Sequence, residues 1–207
     1  MIGIVNYGLG NVHAIATIYR RSNIPAAIVS TAEELRTATR IILPGVGAFD
    51  HAMDRLQRSG MREPLDELVQ VRRTPVLGIC VGMQMLARRS DEGALPGLGW
   101  IDGEVRRFDV TRFASPTHLP HMGWNDVRPS RPSALLQGLE TDARFYFLHS
   151  YYFAPDRPED VLTQTDYHGV FASGVARGHV HGVQFHPEKS HQWGIQLLRN
   201  FAAITAC

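Results

Sequence analysis

Val76-Leu77-Gly78-Ile79-Cys80-Val81-Gly82-Met83-Gln84 is the stretch on which the fold turns. Its first half, Val76–Cys80, is continuously apolar, as in a strand buried on both faces of a parallel sheet. It runs directly into a helix start, with Cys80 at the turn and Gly78 and Gly82 two residues to either side. This is the thiol form of the G-x-S-x-G nucleophile elbow. The turn is tight, so side chains at the flanking positions would clash. It lifts the cysteine above the sheet edge, and the helix N-terminus that follows favours the thiolate, the reactive form. The Val81 N–H then points where an oxyanion would develop. The plainer reading is a buried structural cysteine beside glycines needed for packing.

Outward from this stretch, the first half of the chain alternates strands and helices. Ile2–Val5, Ala26–Val29, Arg40–Leu43 (broken at Pro44) and Val76–Cys80 read as strands. Val12–Arg21, a capped segment opening at Ser30-Thr31 before Glu33-Glu34, Ala48–Arg58 and Pro64–Val71 read as helices. The second half changes character. Glu104–Phe108, Asn125–Val127, Arg144–Phe153, Val161–Thr165, Val170–Ala176 and Val180–Phe185 read as strands with few helices between them, and Trp193–Ile204 as a closing helix. The expected fold is α/β and three-layered. A mostly parallel central sheet carries helices on both faces and an antiparallel extension in the second half. Residues 1–207 show no linker, repeat or low-complexity tract and read as one domain, with 90–120 the least defined region.

A nucleophilic cysteine needs a base. Among 10 histidines, His186 stands out because His186-Pro187-Glu188 ends an apolar strand, where the active-site residues of α/β sheets gather. Pro187 fixes the backbone, and Glu188 can hold the imidazole in one tautomer as the third member of a triad does. Taken alone, H-P-E is an ordinary turn; paired with the elbow it becomes a base. Pro44-Gly45-Val46-Gly47 leaves the third strand at the same sheet edge. Its glycines permit a peptide flip that could bring in a second oxyanion N–H, although the four residues alone describe a plain strand-to-helix turn.

Composition narrows the function. The chain has 207 residues, 44% hydrophobic and 20% charged, with 21 Lys+Arg against 20 Asp+Glu for a net charge of +1. This is ordinary for a globular protein, and the balance argues against general nucleic-acid binding. No run reaches the ~18 apolar residues of a membrane span, and Met1–Val5 lacks the basic region of a secretory signal. Cys80 and Cys207 make no disulfide framework, so a reducing cytoplasm is the expected location. Cys80 has no Cys or His nearby at ligand spacing, so neither a metal nor a cofactor is expected. Lys189 is the single lysine in a chain that otherwise uses arginine.

Taken together, Gly78–Gly82, His186-Pro187-Glu188 and Pro44–Gly47 resemble the class I (triad) glutamine amidotransferases. Within them, the chain is similar to the glutaminase subunits of imidazole glycerol phosphate synthase. That narrower likeness rests on Asn6-Tyr7-Gly8, Pro44–Phe49, Gly78–Gln84, Pro120-His121-Met122-Gly123-Trp124-Asn125, Phe147–Tyr151 and Gln184–Ser190, in family order along the whole chain.

The resemblance implies hydrolysis of L-glutamine to glutamate and ammonia. Cys80 would attack the carboxamide, His186 would move protons and Glu188 would orient it. The oxyanion would rest on N–H groups of Val81 and of Val46–Gly47, and a γ-glutamyl thioester would follow. Gln84, Glu92, Ser150 and Tyr151 would contact the substrate, Glu92 at its α-amino group. Ammonia would pass to a (β/α)8-barrel synthase bound as a heterodimer. Asn6, Tyr7, His121, Met122, Trp124, Asn125 and Lys189 match the regions facing that partner, with Met122 and Trp124 its natural anchors; the plainer reading of these two is core packing.

Gly97-Leu98-Gly99-Trp100-Ile101 and Ser190-His191-Gln192-Trp193-Gly194 depart from the usual pathway pattern. They leave open a paralogous glutaminase that feeds amidination of a surface-polysaccharide sugar. A stand-alone cysteine hydrolase or peptidase would use the same elbow but would not need Gln84, Glu92 or His121–Asn125. A decayed binding module would be expected to have lost one of Cys80, His186 and Glu188.

Overall fold

The computed structural model describes residues 1–112 and 119–205; Cys207 lies outside them. The first half follows the expected alternation. It runs β1 (Ile2–Val5), α1 (Val12–Arg21), β2 (Ala26–Val29), α2 (Ala32–Leu35), β3 (Arg40–Gly45), α3 (Phe49–Arg58), α4 (Arg62–Asp66), β4 (Val76–Cys80) and α5 (Val81–Gln84). The second half is mostly β. Its strands are β5 (Arg89–Ser90), β6 (Gly103–Arg107), β7 (His121–Asp126), β8 (Arg128–Pro129), β9 (Arg144–His149), β10 (Tyr151–Pro155), β11 (Val161–Asp166), β12 (Val170–Arg177) and β13 (Val180–Val183), and α6 (His191–Ala203) closes it.

The main sheet runs β2-β1-β3-β4-β13-β12-β10-β6-β5, with β11 on β12 and β8 on β11. From β2 to β13 every pairing is parallel. Beyond β13 the strands β12, β10 and β6 pair antiparallel. Burial follows this division. β1, β4 and β13 are buried at every residue, as strands covered on both faces must be. A separate antiparallel pair, β7–β9, alternates buried and open positions, because only one of its faces meets the core. Local chemistry sets the helix ends. Thr31 Oγ1 accepts from Glu34 N–H while Glu34 Oε2 accepts from Ser30 N–H, a reciprocal cap on α2.

Several boundaries differ from the sequence reading. The third strand does not break at Pro44 but runs to Gly45. Its pairing with β1 ends at Ile42, while its pairing with β4 carries on through Pro44–Ile79 and Gly45–Cys80. Arg144–Phe153 is not one strand but two, divided at Ser150 and belonging to different sheets. The Pro64–Val71 helix begins at Arg62 and widens into a π-helical turn over Glu67–Val71. The helix after the elbow is a single turn. Leu86 N and Ala87 N bond back three residues, to Met83 O and Gln84 O, so the segment tightens and stops. Its dipole is therefore short, and the thiol relies more on its side-chain neighbours than the sequence suggested.

Candidate active site

The carboxyl ends of β3, β4 and β13 converge on a cavity of about 340 Å³, of small-molecule size. Cys80 lies at its floor, 4% exposed, with φ 55° and ψ −115°. That backbone is rarely adopted by a residue with a side chain and costs roughly 1–3 kcal/mol, held here by the packing around it. The packing needs glycine. A Cβ on Gly82 would meet the Leu43 carbonyl oxygen, and one on Gly78 would lie 2.6 Å from Gly82 O. Gly45 brings β3 equally close to Gly82 N. The elbow read from the sequence is present, with the thiol turned into the cavity.

His186 leaves the end of β13 and lines the same cavity. Its Nδ1 lies 2.9 Å from Glu188 Oε1, and Cys80 lines the same cavity near enough to influence the ring electrostatically. The His186 and Glu188 side chains are almost wholly buried. Burial alone would lower the imidazole pKa; the Cys80 and Glu188 interactions outweigh it and raise the value to about 10. The loop is braced by β9: His186 N–H donates to Tyr146 O, and Ser190 Oγ links the His186 carbonyl to the Tyr146 N–H. A thiol, a buried base and an orienting carboxylate in this order can carry out nucleophilic acyl transfer.

Val46 and Gly47 rim the cavity, following directly on Gly45, the register partner of Cys80. Val46 is exposed, and Gly47, at φ 87°, has open space where a Cβ would stand. Gly47 is thus uncrowded, whereas Val81 is packed into the elbow against Gly45. Gln84 Nε2 donates to Tyr151 O and to Gln184 Oε1, both at 3.1 Å. Glu92 Oε2 accepts from Phe49 N–H at 2.8 Å, and Asp50 accepts from Ala94 and Leu95 N–H. The Glu92 loop and the first turn of α3 are thus clasped from both sides. Gln84, Glu92, Ser150, Tyr151, Pro120, Leu148 and Lys189 all line the cavity.

The residues expected to face a partner divide into two groups. Met122 and Trp124 are 65% and 42% exposed, so they are not core residues; Leu148 opens on the same face, and Lys189 Nζ sits 5.5 Å from the Tyr146 ring centre. Asn6 is only partly open and bonds Ser30. Tyr7 and His121, by contrast, are both buried. The Tyr7 hydroxyl donates to Pro44 O at 2.8 Å beneath the Val46–Gly47 loop, and burial raises its pKa. His121 and Asn125 lie on the inner face of β7–β9, where each makes internal hydrogen bonds.

The sequence reading gave no role to Gln184, Ser190 or His149. Gln184 is fully buried and its Nε2 donates to Cys80 Sγ at 3.8 Å. A second polar residue after His181 in the run Val180–Phe185, two before His186, was the available signal. Ser190 and His149 gave none, because their value depends on which strand lies beside them. No group of acidic, His and Cys side chains among the described residues could hold a metal.

The class-I glutamine amidotransferase family model matches residues 4–204, and the chain belongs to that family. Among curated proteins it is 59% identical to the imidazole glycerol phosphate synthase subunit HisH of Bdellovibrio bacteriovorus, over 99% of this chain and 100% of that one. It is 49% identical to the HisH subunit of Leptospira interrogans at the same coverage, and 45% to HisH 2 of Pseudomonas aeruginosa. Among solved structures, a glutamine amidotransferase superposes with TM-score 0.75 at 21% identity over 98% of this chain and 99% of its own. A glutamine amidotransferase from Thermotoga maritima superposes with TM-score 0.63 at 18% identity, over 90% of this chain and 75% of its own. At those identities the two bear on the fold alone.

Proposed function

We infer that this chain, one glutamine amidotransferase domain, is the glutaminase subunit of an imidazole glycerol phosphate synthase. The observation that carries the reading is the Cys80–His186–Glu188 set at the floor of a cavity that also holds Gln84 and Glu92. Full-length likeness to HisH subunits supports the narrower assignment.

Cys80 Sγ attacks the glutamine carboxamide carbon. The oxyanion is met by the Val81 N–H and by an N–H of Val46–Gly47. His186 passes a proton to the departing nitrogen, which leaves as ammonia, and a γ-glutamyl thioester remains on Cys80. Water, deprotonated by His186, releases glutamate. Glu188 keeps Nε2 aimed at the sulfur throughout. The free carboxylate oxygen of Glu92 takes the substrate's α-ammonium, and Ser150 and Tyr151 border the opposite wall.

The ammonia is delivered to a (β/α)8-barrel synthase docked as a heterodimer in the cytoplasm, over the face bearing Met122, Trp124, Leu148 and Lys189. An apolar, aromatic-centred patch beside the cavity mouth suits such docking. None of the described helices is long and apolar enough to cross a membrane.

The test is glutamine hydrolysis by this chain mixed with the barrel synthase from the same organism, with and without the ribulosyl-aminoimidazole-carboxamide nucleotide. Strong stimulation by the nucleotide is expected. No stimulation with a demonstrably active barrel would overturn the pathway assignment and favour the sugar-amidinating paralogue.

A further inference from the structure

The inner face of β7–β9 packs into an aromatic cluster, yet two of its rings are histidines. His121 stacks on Phe147 and Tyr167, and His149 leans on Phe108 and Phe171. Two imidazoles buried there are costly unless their nitrogens are satisfied. His149 Nδ1 lies 2.8 Å from Tyr151 O, and His149 Nε2 lies 2.9 Å from His121 Nδ1. His121 Nε2 lies 3.2 Å from Asn125 Nδ2, whose other N–H donates to Asp166 O.

Both ends of this chain have fixed roles. A carbonyl can only accept, so His149 Nδ1 carries the proton. An amide NH2 can only donate, so His121 Nε2 is bare. The middle contact is then satisfied only when both rings are neutral, with His121 Nδ1–H donating to His149 Nε2. Burial favours the same state, holding His149 at a pKa of about 3 and His121 at about 4. Every bond therefore points one way: Asn125 to His121 to His149 to the Tyr151 carbonyl. That carbonyl also receives Gln84 Nε2, so it is held from two sides where β10 begins.

The outer neighbours of His121 on β7 include the exposed Met122. The far end of the chain of bonds borders the cavity, which His149 itself lines. We propose that His121 and His149 are positioning residues for glutamine recognition, tying the exposed strand β7 to the Ser150–Tyr151 wall of the pocket. This rests on the glutaminase reading above. Replacing His121 by an apolar ring keeps the stacking but strands His149 Nε2. The wall then loses its register while the Cys80–His186 pair does not.

The experiment labels Cys80 in wild type, His121→Phe and His121→Asn, each with the barrel synthase present. Two reagents are used: a glutamine-like diazoketone, 6-diazo-5-oxo-norleucine, and iodoacetamide. For His121→Phe the half-saturating diazoketone concentration is expected to rise about 10-fold, the scale of one buried hydrogen bond. Its saturated rate and the iodoacetamide rate are expected to stay unchanged. His121→Asn offers an N–H at the Nδ1 position and is expected to recover most of the loss. Wild-type half-saturation in His121→Phe, equal loss with both reagents, or no recovery in His121→Asn would overturn the proposal. If His121→Phe does not fold, Asn125→Leu at the partly exposed end of the chain carries the test. It is expected to move half-saturation in the same direction, and an unchanged value overturns the proposal. Wild type that reacts with iodoacetamide but not with the diazoketone would sink the glutaminase reading itself.

Discussion

Gly45 is the register partner of Cys80 across β3 and β4, so the Val46–Gly47 loop leaves the sheet at the level where the thiol does. The two halves of the proposed oxyanion site are thereby placed side by side by one parallel pairing. One half, at Val81, is rigid because the elbow is packed against Leu43 and Gly78. The other has open space around Gly47.

That contrast predicts different outcomes for two alanines. Gly82→Ala drives a Cβ into the Leu43 carbonyl and is expected to cost about 1–3 kcal/mol of stability or more, as overpacking does. Gly47→Ala meets no atom and pays only the left-handed backbone, about 1–2 kcal/mol. Urea unfolding measures both. The glutaminase rate of Gly47→Ala in the complex is expected to fall by more than its stability loss explains.

Glu188→Gln removes one of the interactions holding the His186 pKa near 10. The ring's titration midpoint, followed by NMR, is expected to fall. The wild-type value lies above the ordinary 6.5. Protonated His186 therefore stabilises the fold fully below about pH 6.5, and this contribution drains away as pH rises through about 10. The variant is expected to lose it at lower pH, which unfolding across pH 6 to 10 would show.

Gln184→Leu deletes the donor to Cys80 Sγ and the acceptor for Gln84 Nε2. A hydrogen bond to a group carrying charge is worth about 1.5–3 kcal/mol, so glutaminase kcat in the complex is expected to drop at least about 10-fold. Steady-state kinetics checks it; a change confined to KM would place Gln184 with the substrate wall instead.

Trp124 stacks on His191 with its face in the solvent-facing patch. Trp124→Ala is expected to weaken docking of the barrel synthase by about 30-fold or more, as loss of an aromatic anchor does, and to leave the melting temperature of the isolated chain nearly unchanged. Titration calorimetry reads the first and thermal unfolding the second.

The elbow, the parallel core and the His186–Glu188 pair were legible in the chain because each is local. Gly78, Cys80 and Gly82 state their own backbone demand, and the uninterrupted apolar runs of β1, β4 and β13 announce strands covered on both faces. His186-Pro187-Glu188 places base and carboxylate two residues apart. Tyr7 and His121 could not be sorted from Met122 and Trp124 in this way. For the β7 residues, direction depends on a two-residue period whose phase is set by β9, a strand met only in three dimensions. The same holds for Gln184, Ser190 and His149, each of which meets a partner distant in sequence (Cys80 and Gln84, Tyr146, and His121), and for the break at Ser150 between two sheets. Sequence alone determined the chemistry each residue could perform and the short-range turns that expose it. Tertiary structure decided which buried polar groups meet, because hydrogen-bond partners are chosen by pairing across the sheet and not by neighbours along the chain.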